Sequence, residues 1–265
     1  MTRTETFQLS LAAAEAYQSK FVPALFGEWA PLVIEAAGVT TGQEVLDVAS
    51  GTGVVARAAG ERVGATGRVV AVDINEAMLT VARRLSPDVD WRTADAGDLP
   101  FPDSSFDAVL CQAALMFFPD RAGALREMSR VVRDTGAVAV QVWASLDSQP
   151  AYGPFVEVAA RHAGPEAVDL LGSYWTMGDV GHLSELFAVA GMRVTATTRH
   201  VGTARFASID EFVKIEVEST PLVDRIGDDT YAAILADARH ALAEFETPEG
   251  NAEVPIVGHI VTGRT

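Results

Sequence analysis

The chain has 265 residues, long for one small domain and short for two full ones, and nearly half of them are hydrophobic, so a large core can be buried. Its formal net charge of -16 disfavours nucleic acid and anionic membranes as partners, and no lysine or arginine cluster offsets it. No apolar run approaches the ~18 residues that span a bilayer, Met1 to Glu5 lack the basic and apolar regions of a signal peptide, and Cys111 stands alone, so a cytoplasmic protein with neither membrane insertion nor an intrachain disulfide is expected.

Residues 7–38 carry apolar side chains every three to four positions, from Leu9 to Val33, which predicts helix with a break near Pro23 and a C-cap at Gly38. A strand over Glu44 to Val48 follows, then a helix from Val54 to Val63, a turn over Gly64 to Gly67 and a second strand over Val69 to Val72. Asn75 begins a helix reaching Leu85, followed by a short strand at Val89 to Thr93 and a fourth at Phe106 to Cys111. Arg121 to Val132 reads as a helix whose Arg121, Arg126 and Arg130, with Arg133 just beyond, form a solvated face, and Ala137 to Val142 as the fifth strand.

Strands and helices thus alternate between residues 44 and 143, and the strands show no polar alternation, as expected when both faces are buried. This predicts an α/β fold with a doubly wound, mostly parallel sheet. Beyond Trp143, helical patterns broken by Pro150, Pro154 and Pro165 occupy residues 145–190. A strand at Arg193 to Phe206, helices near 208–218 and 229–245, and a terminal strand through Pro255 to Gly263 bring the expected strands to seven.

The segment Val45-Leu46-Asp47-Val48-Ala49-Ser50-Gly51-Thr52-Gly53 is an apolar strand ending in a glycine turn, and the next strand closes on Asp73. That layout suits a nucleoside ligand. Asp47, placed before the turn, would repel the pyrophosphate of a dinucleotide and attract a ligand with an ammonium group, such as S-adenosylmethionine. Gly51 and Gly53 let backbone approach a ligand closely. Asp73 can accept hydrogen bonds from two ribose hydroxyls, or alternatively cap the next helix. Two further motifs follow in order, Thr93 to Phe101 and Ser105 to Asp120.

With these motifs the chain resembles the class I S-adenosylmethionine-dependent methyltransferases, in the ubiquinone/menaquinone-type (methyltransferase type 11) branch, over roughly residues 12–143. The resemblance implies a Rossmann-like seven-stranded fold. A cap comes from the N-terminal residues 1–40 and from the 145–190 and 208–250 segments. It makes 41–144 the S-adenosylmethionine-binding core, 145–250 the cap helices and sixth strand on the substrate side, and 251–265 the last strand of the core sheet. It also implies that Asp47, Ala49, Ser50, Gly51, Thr52 and Gly53 hold the methionine end of the cofactor. Asp73, Ile74 and Met78 would hold its nucleoside, with Asp95 and Ala96 at the adenine. Gln112 would lie near the sulfonium, and Tyr17, with Phe21, would fold over the cofactor. Where the family has Pro-Gly-Gly before strand five, this chain has Asp134-Thr135-Gly136.

The activity implied is methyl transfer to the oxygen or carbon of a small, apolar or aromatic metabolite, without a metal. Candidate general bases are His162, His182, His200, Glu216 and Tyr174, with His240 and His259 less favoured. Cys111 reads as a buried small hydrophobe. Two other functions share parts of this pattern: an S-adenosylmethionine-binding cyclase without methyl transfer, and an NAD(P)-dependent oxidoreductase, since Gly51, Gly53 and Ala56 also satisfy Gly-x-Gly-x-x-Ala. The partner expected is a small molecule; an oligomer is possible.

Overall fold

In the computed structural model, which describes residues 9–218 and 220–265, the first helix is α1 (Leu11–Ala16), capped by the Ser10 hydroxyl accepting from the Ala13 N–H. Residues 7 and 8 of the expected first helix, and the other residues before Leu9, lie outside the described residues. The helix then widens into a π-helix, Tyr17–Phe26, with Pro23 inside it. The expected break at Pro23 is therefore not there. A proline cannot donate an α-helical hydrogen bond, and the wider turn carries it without a stop. The π-helix ends where Gly27 N–H donates to the Val22 carbonyl at 2.9 Å, and α2 (Trp29–Ala36) follows.

The next elements alternate as expected: β1 (Glu44–Val48), α3 (Val54–Val63), β2 (Arg68–Asp73), α4 (Glu76–Leu85), β3 (Asp90–Thr93), β4 (Phe106–Gln112), α5 (Arg121–Val131) and β5 (Val132–Trp143). Asn75 caps α4, its Oδ1 accepting from the N–H groups of Ala77 and Met78. Then come α6 (Tyr152–Ala163), α7 (Glu166–Gly172), α8 (Val180–Val189), β6 (Arg193–Phe206), α9 (Ile209–Glu218), α10 (Asp228–Ala241) and β7 (Ala252–Arg264).

The seven strands form one mostly parallel sheet in the order β3-β2-β1-β4-β5-β7-β6. β1 pairs in parallel with β2 and β4, β2 with β3, and β4 with β5. The order reverses between β1 and β4, and ligands of such sheets bind outside the carboxyl ends of the strands at that reversal.

The chain forms two compact units. One holds residues 9–142 with Val180–Arg199 and His259–Thr265; the other holds Trp143–Asp179 and His200–Gly258. This division differs from the segments drawn on sequence. Residues 180–199 join the first unit because α8 packs on α5 and the Thr195 hydroxyl donates to the Thr262 carbonyl at 3.2 Å. The second unit has an aromatic centre in which Tyr152, Phe155 and Phe206 each meet Phe212 edge-on, with centroids 5.1–5.2 Å apart.

The arginines around α5 are not simply solvated. Arg130 binds Glu127, Asp103 and the carbonyls of Leu99 and Phe101, and Arg133 bridges Glu44 and Asp107. They tie the 99–103 loop and the start of β1 to the sheet.

Candidate cofactor site

The Gly turn makes its shape from three left-handed residues: Ala49 (φ 56), Gly51 (φ 55) and Gly53 (φ 86). Gly53 N–H closes the turn onto the Ser50 carbonyl at 2.8 Å, and Ser50 N–H donates to the end of β2 at Val72. A Cβ on Gly53 would lie 2.2 Å from the Trp91 ring, whereas one on Gly51 would meet nothing nearer than the Tyr17 ring at 3.8 Å. Tyr17 therefore lies over the turn. Its ring stacks on Phe21 and Phe26 and packs in a cluster with Met78 and Val81.

Asp73 joins the turn to β2. Its Oδ2 accepts from Gly51 N–H at 2.7 Å and its Oδ1 from Asn75 N–H at 2.8 Å. Asn75, not Asp73, is the helix cap. Burial raises the Asp73 carboxyl above its ordinary value against these backbone donors.

Asp47 is 1% exposed. Its Oδ2 accepts the Ala56 N–H at 2.9 Å in the first turn of α3. Burial pushes it up to about 8, Ala56 opposes that, and the nearby charge of Asp73 adds to it. Asp47, expected on sequence to repel a pyrophosphate, is therefore not a fixed negative charge. Near neutral pH Asp47 is largely protonated, so it does not by itself repel an anion; a cation arriving beside it would favour its ionised form.

Other predicted residues distribute around this centre. Ile74 is an exposed apolar side chain, 47% accessible. Asp95 is exposed and folds its loop by accepting Gly97 N–H at 2.8 Å, with Ala96 between them. Gln112 ends β4, its Nε2 donating to the Phe26 carbonyl at 3.1 Å. Ser50 Oγ, Thr52 Oγ1 and Gln112 Oε1 are buried without a hydrogen-bond partner, each costing about 1–3 kcal/mol if left so. Unmet hydroxyl and amide groups beside a left-handed glycine turn fit a ligand rich in hydroxyl, amino and carboxylate groups, and S-adenosylmethionine is one.

Each candidate base has its own surroundings. His162 pairs with Asp237 at 2.9 Å and His182 lies 3.9 Å from Glu185, both at the surface of their helices. His200 is half-buried in β6, and His240 is exposed on α10 with Nδ1 2.9 Å from the Ala236 carbonyl. Burial and Arg199 push half-buried His259 down. Glu216 is pushed up to about 8 by burial. It and Tyr174 act electrostatically on Tyr152, whose buried hydroxyl is without a partner. Cys111 is fully buried, and burial raises its thiol.

Sequence reasoning missed Trp91, which shapes the turn, and Gln141, a fully buried polar residue in β5. The signal for Gln141 was a lone amide in the run Val138 to Trp143. A hollow of about 370 Å³ lies elsewhere, lined by Glu44, Arg68, Arg92, Phe101, Ser105 and Arg133. It sits at the amino ends of the strands, away from Asp73 and Gln112; its Arg133 pairs with Glu44, and its Arg68 and Arg92 pair with Asp90.

Fold and site together define a doubly wound α/β protein with a nucleoside-type glycine turn. Residues 46–140 match the family model described as methyltransferase domain. The chain is 41% identical over 134 residues to the demethylmenaquinone methyltransferase of Renibacterium salmoninarum, covering 51% of this chain and 54% of that one. It is 42% identical over 118 residues to the ubiquinone/menaquinone biosynthesis C-methyltransferase UbiE of Pseudomonas savastanoi, covering 42% and 46%. The chain thus spans about half the length of the curated relatives it matches. The crystal structure of a putative methyltransferase from Bacillus halodurans shares the fold, with a TM-score of 0.59 at 20% identity over 89% of this chain and 97% of that one.

Proposed function

We propose that the protein is an S-adenosylmethionine-dependent methyltransferase acting on the oxygen or carbon of a small apolar ring compound. The observation that carries this is the clasp of Asp73 on Gly51, set among the unpartnered Ser50, Thr52 and Gln112 groups at the carboxyl ends of β1 and β4. When bound, S-adenosylmethionine supplies a sulfonium-activated methyl group for in-line displacement by the acceptor.

The chain's residues supply position. The turn from Ala49 to Gly53, with Asp47 behind it, would take the methionine end. Asp73 would accept from the ribose while keeping the turn closed, and Ile74 and Met78 would flank the adenine with Asp95 and Ala96 at its edge. Tyr17, held by Phe21 and Phe26 over Gly51, would shield the reacting end from water. The demethylmenaquinone and ubiquinone/menaquinone methyltransferases that the chain resembles support a quinone-like ring as acceptor, and the net charge of -16 argues against a nucleic acid. A cytoplasmic site of action agrees with the lone cysteine; among the described residues no helix is long and apolar enough to cross a membrane.

Titration calorimetry with S-adenosylhomocysteine tests this reading. Micromolar binding, weakened at least about tenfold by Asp73→Ala, is expected. Absence of binding, together with protection against thermal unfolding by NADH, would overturn it.

A further inference from the structure

Near the carboxyl end of β5, Gln141 stands in register with Gln112, the last residue of β4, so both side chains leave the same face of the sheet. Gln141 is 0% exposed, yet neither its Oε1 nor its Nε2 has a hydrogen-bond partner. Gln112 Oε1 is also without one, while its Nε2 is held by the Phe26 carbonyl. Gln149 shows what a structural glutamine looks like in this protein. It too is buried, and its side chain bonds the Ala144 carbonyl and both the carbonyl and the N–H of Val257, at 2.8–3.0 Å.

The backbone at this point is also under strain. Ala113, directly after Gln112, is held at φ 52 and donates its N–H to the Gln141 carbonyl at 3.0 Å. A non-glycine residue persists there only where its surroundings over-determine it, and such residues gather at ligand sites. An unmet buried amide is unfavourable for folding alone, since an apolar side chain of similar volume would carry no such cost.

We propose that Gln112 and Gln141 form a subsite for a hydroxyl group on the ring of the methyl acceptor. The unmet groups are one amide donor, Gln141 Nε2, and two carbonyl acceptors. A hydroxyl satisfies both kinds, its oxygen accepting from Nε2 and its proton going to an Oε1. A carboxylate or phosphate offers only acceptors and leaves the carbonyls unmet; an ammonium offers only donors and leaves Nε2 unmet. The two residues act by positioning, and naming the ligand an acceptor rests on the methyltransferase reading above.

Equilibrium dialysis of 2-naphthol against naphthalene, with the protein saturated in S-adenosylhomocysteine, tests the subsite. The protein should hold 2-naphthol at least tenfold more tightly than naphthalene. Gln141→Leu should bring that ratio below threefold, leave naphthalene affinity unchanged, and keep or raise the melting temperature. No preference in the parent protein, or an unchanged ratio in the variant, would overturn the proposal. So would a fall of several degrees in the melting temperature, which would make the amide a support of the fold through a buried water. Failure of S-adenosylhomocysteine to bind would defeat the methyltransferase reading separately. The 2-naphthol preference measured on the ligand-free protein would then decide the subsite by the same ratios.

Discussion

The Trp91 ring fills the space that any side chain on Gly53 would need: a Cβ there would come within 2.2 Å of the ring and 2.9 Å of a second ring atom. Trp91 is itself fixed, its indole N–H donating to the Ser86 carbonyl at 2.8 Å. The turn and β3 therefore constrain each other.

Gly53→Ala should be strongly destabilising, because the left-handed φ of 86 and the clash act together. Each carries about 1–3 kcal/mol, so a loss of roughly 2–6 kcal/mol is expected. Urea denaturation checks it through the midpoint and its slope. A loss below about 0.5 kcal/mol would mean that Trp91 moves aside freely.

Ala49→Gly should do the opposite. Ala49 is a residue with a Cβ at φ 56, which costs about 1–2 kcal/mol. Glycine removes that strain and gives back part of the gain as chain entropy in the unfolded state. A net stabilisation of about 0.5–1 kcal/mol is expected in thermal unfolding. A destabilised variant would show that the methyl group is needed for packing.

Stability of the ligand-free protein should fall as pH rises from about 4 to about 8. Asp47 titrates near 3.8 when unfolded and about 8 when folded, so across that window the folded state binds the extra proton. The penalty of a buried charge is absent below the lower value and fully present above the upper one. Glu216, pushed up from 4.5 to about 8, adds to the slope in the same direction. Asp47→Asn should remove up to about 1.4 kcal/mol per pH unit of this dependence. An identical pH profile in the variant would refute the assignment to Asp47.

Binding of the cofactor should release protons at pH 7. A ligand ammonium beside Asp47 favours the ionised carboxylate, so its proton departs as the ligand arrives. Calorimetry of S-adenosylhomocysteine in buffers of different ionisation enthalpy should show a fraction of a proton lost per site, and Asp47→Asn should abolish it. Proton uptake, or none in either protein, would place the ammonium elsewhere.

Strands β1, β2 and β4 were legible in the sequence because each is a largely buried, mostly apolar run, whereas only Trp91 is buried in β3; Asn75 was legible as a cap. β5 was read too short. Asp134-Thr135-Gly136 looks like a turn, yet it lies within the strand, Gly136 being buried where a Cβ would meet the Asp107 carbonyl at 2.6 Å. The residues of the candidate site were legible as a set, since the glycine turn and the two acids come in order. Their protonation was not. The state of Asp47 depends on burial supplied by α3 and on Asp73, 26 positions away, neither of which has a local signal. Pairing was hidden for the same reason: Arg130 and Arg133 look like surface charges until the loops they bind are placed beside them.

The wide helix at Tyr17–Phe26 makes the aim of one ring a matter of chain length. A π-helical turn holds one residue more than an α-helical turn needs, and each residue of an α-helix advances by ~100° about its axis. Losing a single codon between Tyr17 and Pro23 would let the segment relax toward ordinary helix and swing the tyrosine about a quarter turn away from Gly51. In this region a deletion is thus a sharper change than a substitution, and the reading frame of the helix, as much as the identity of the ring, decides whether the turn is covered.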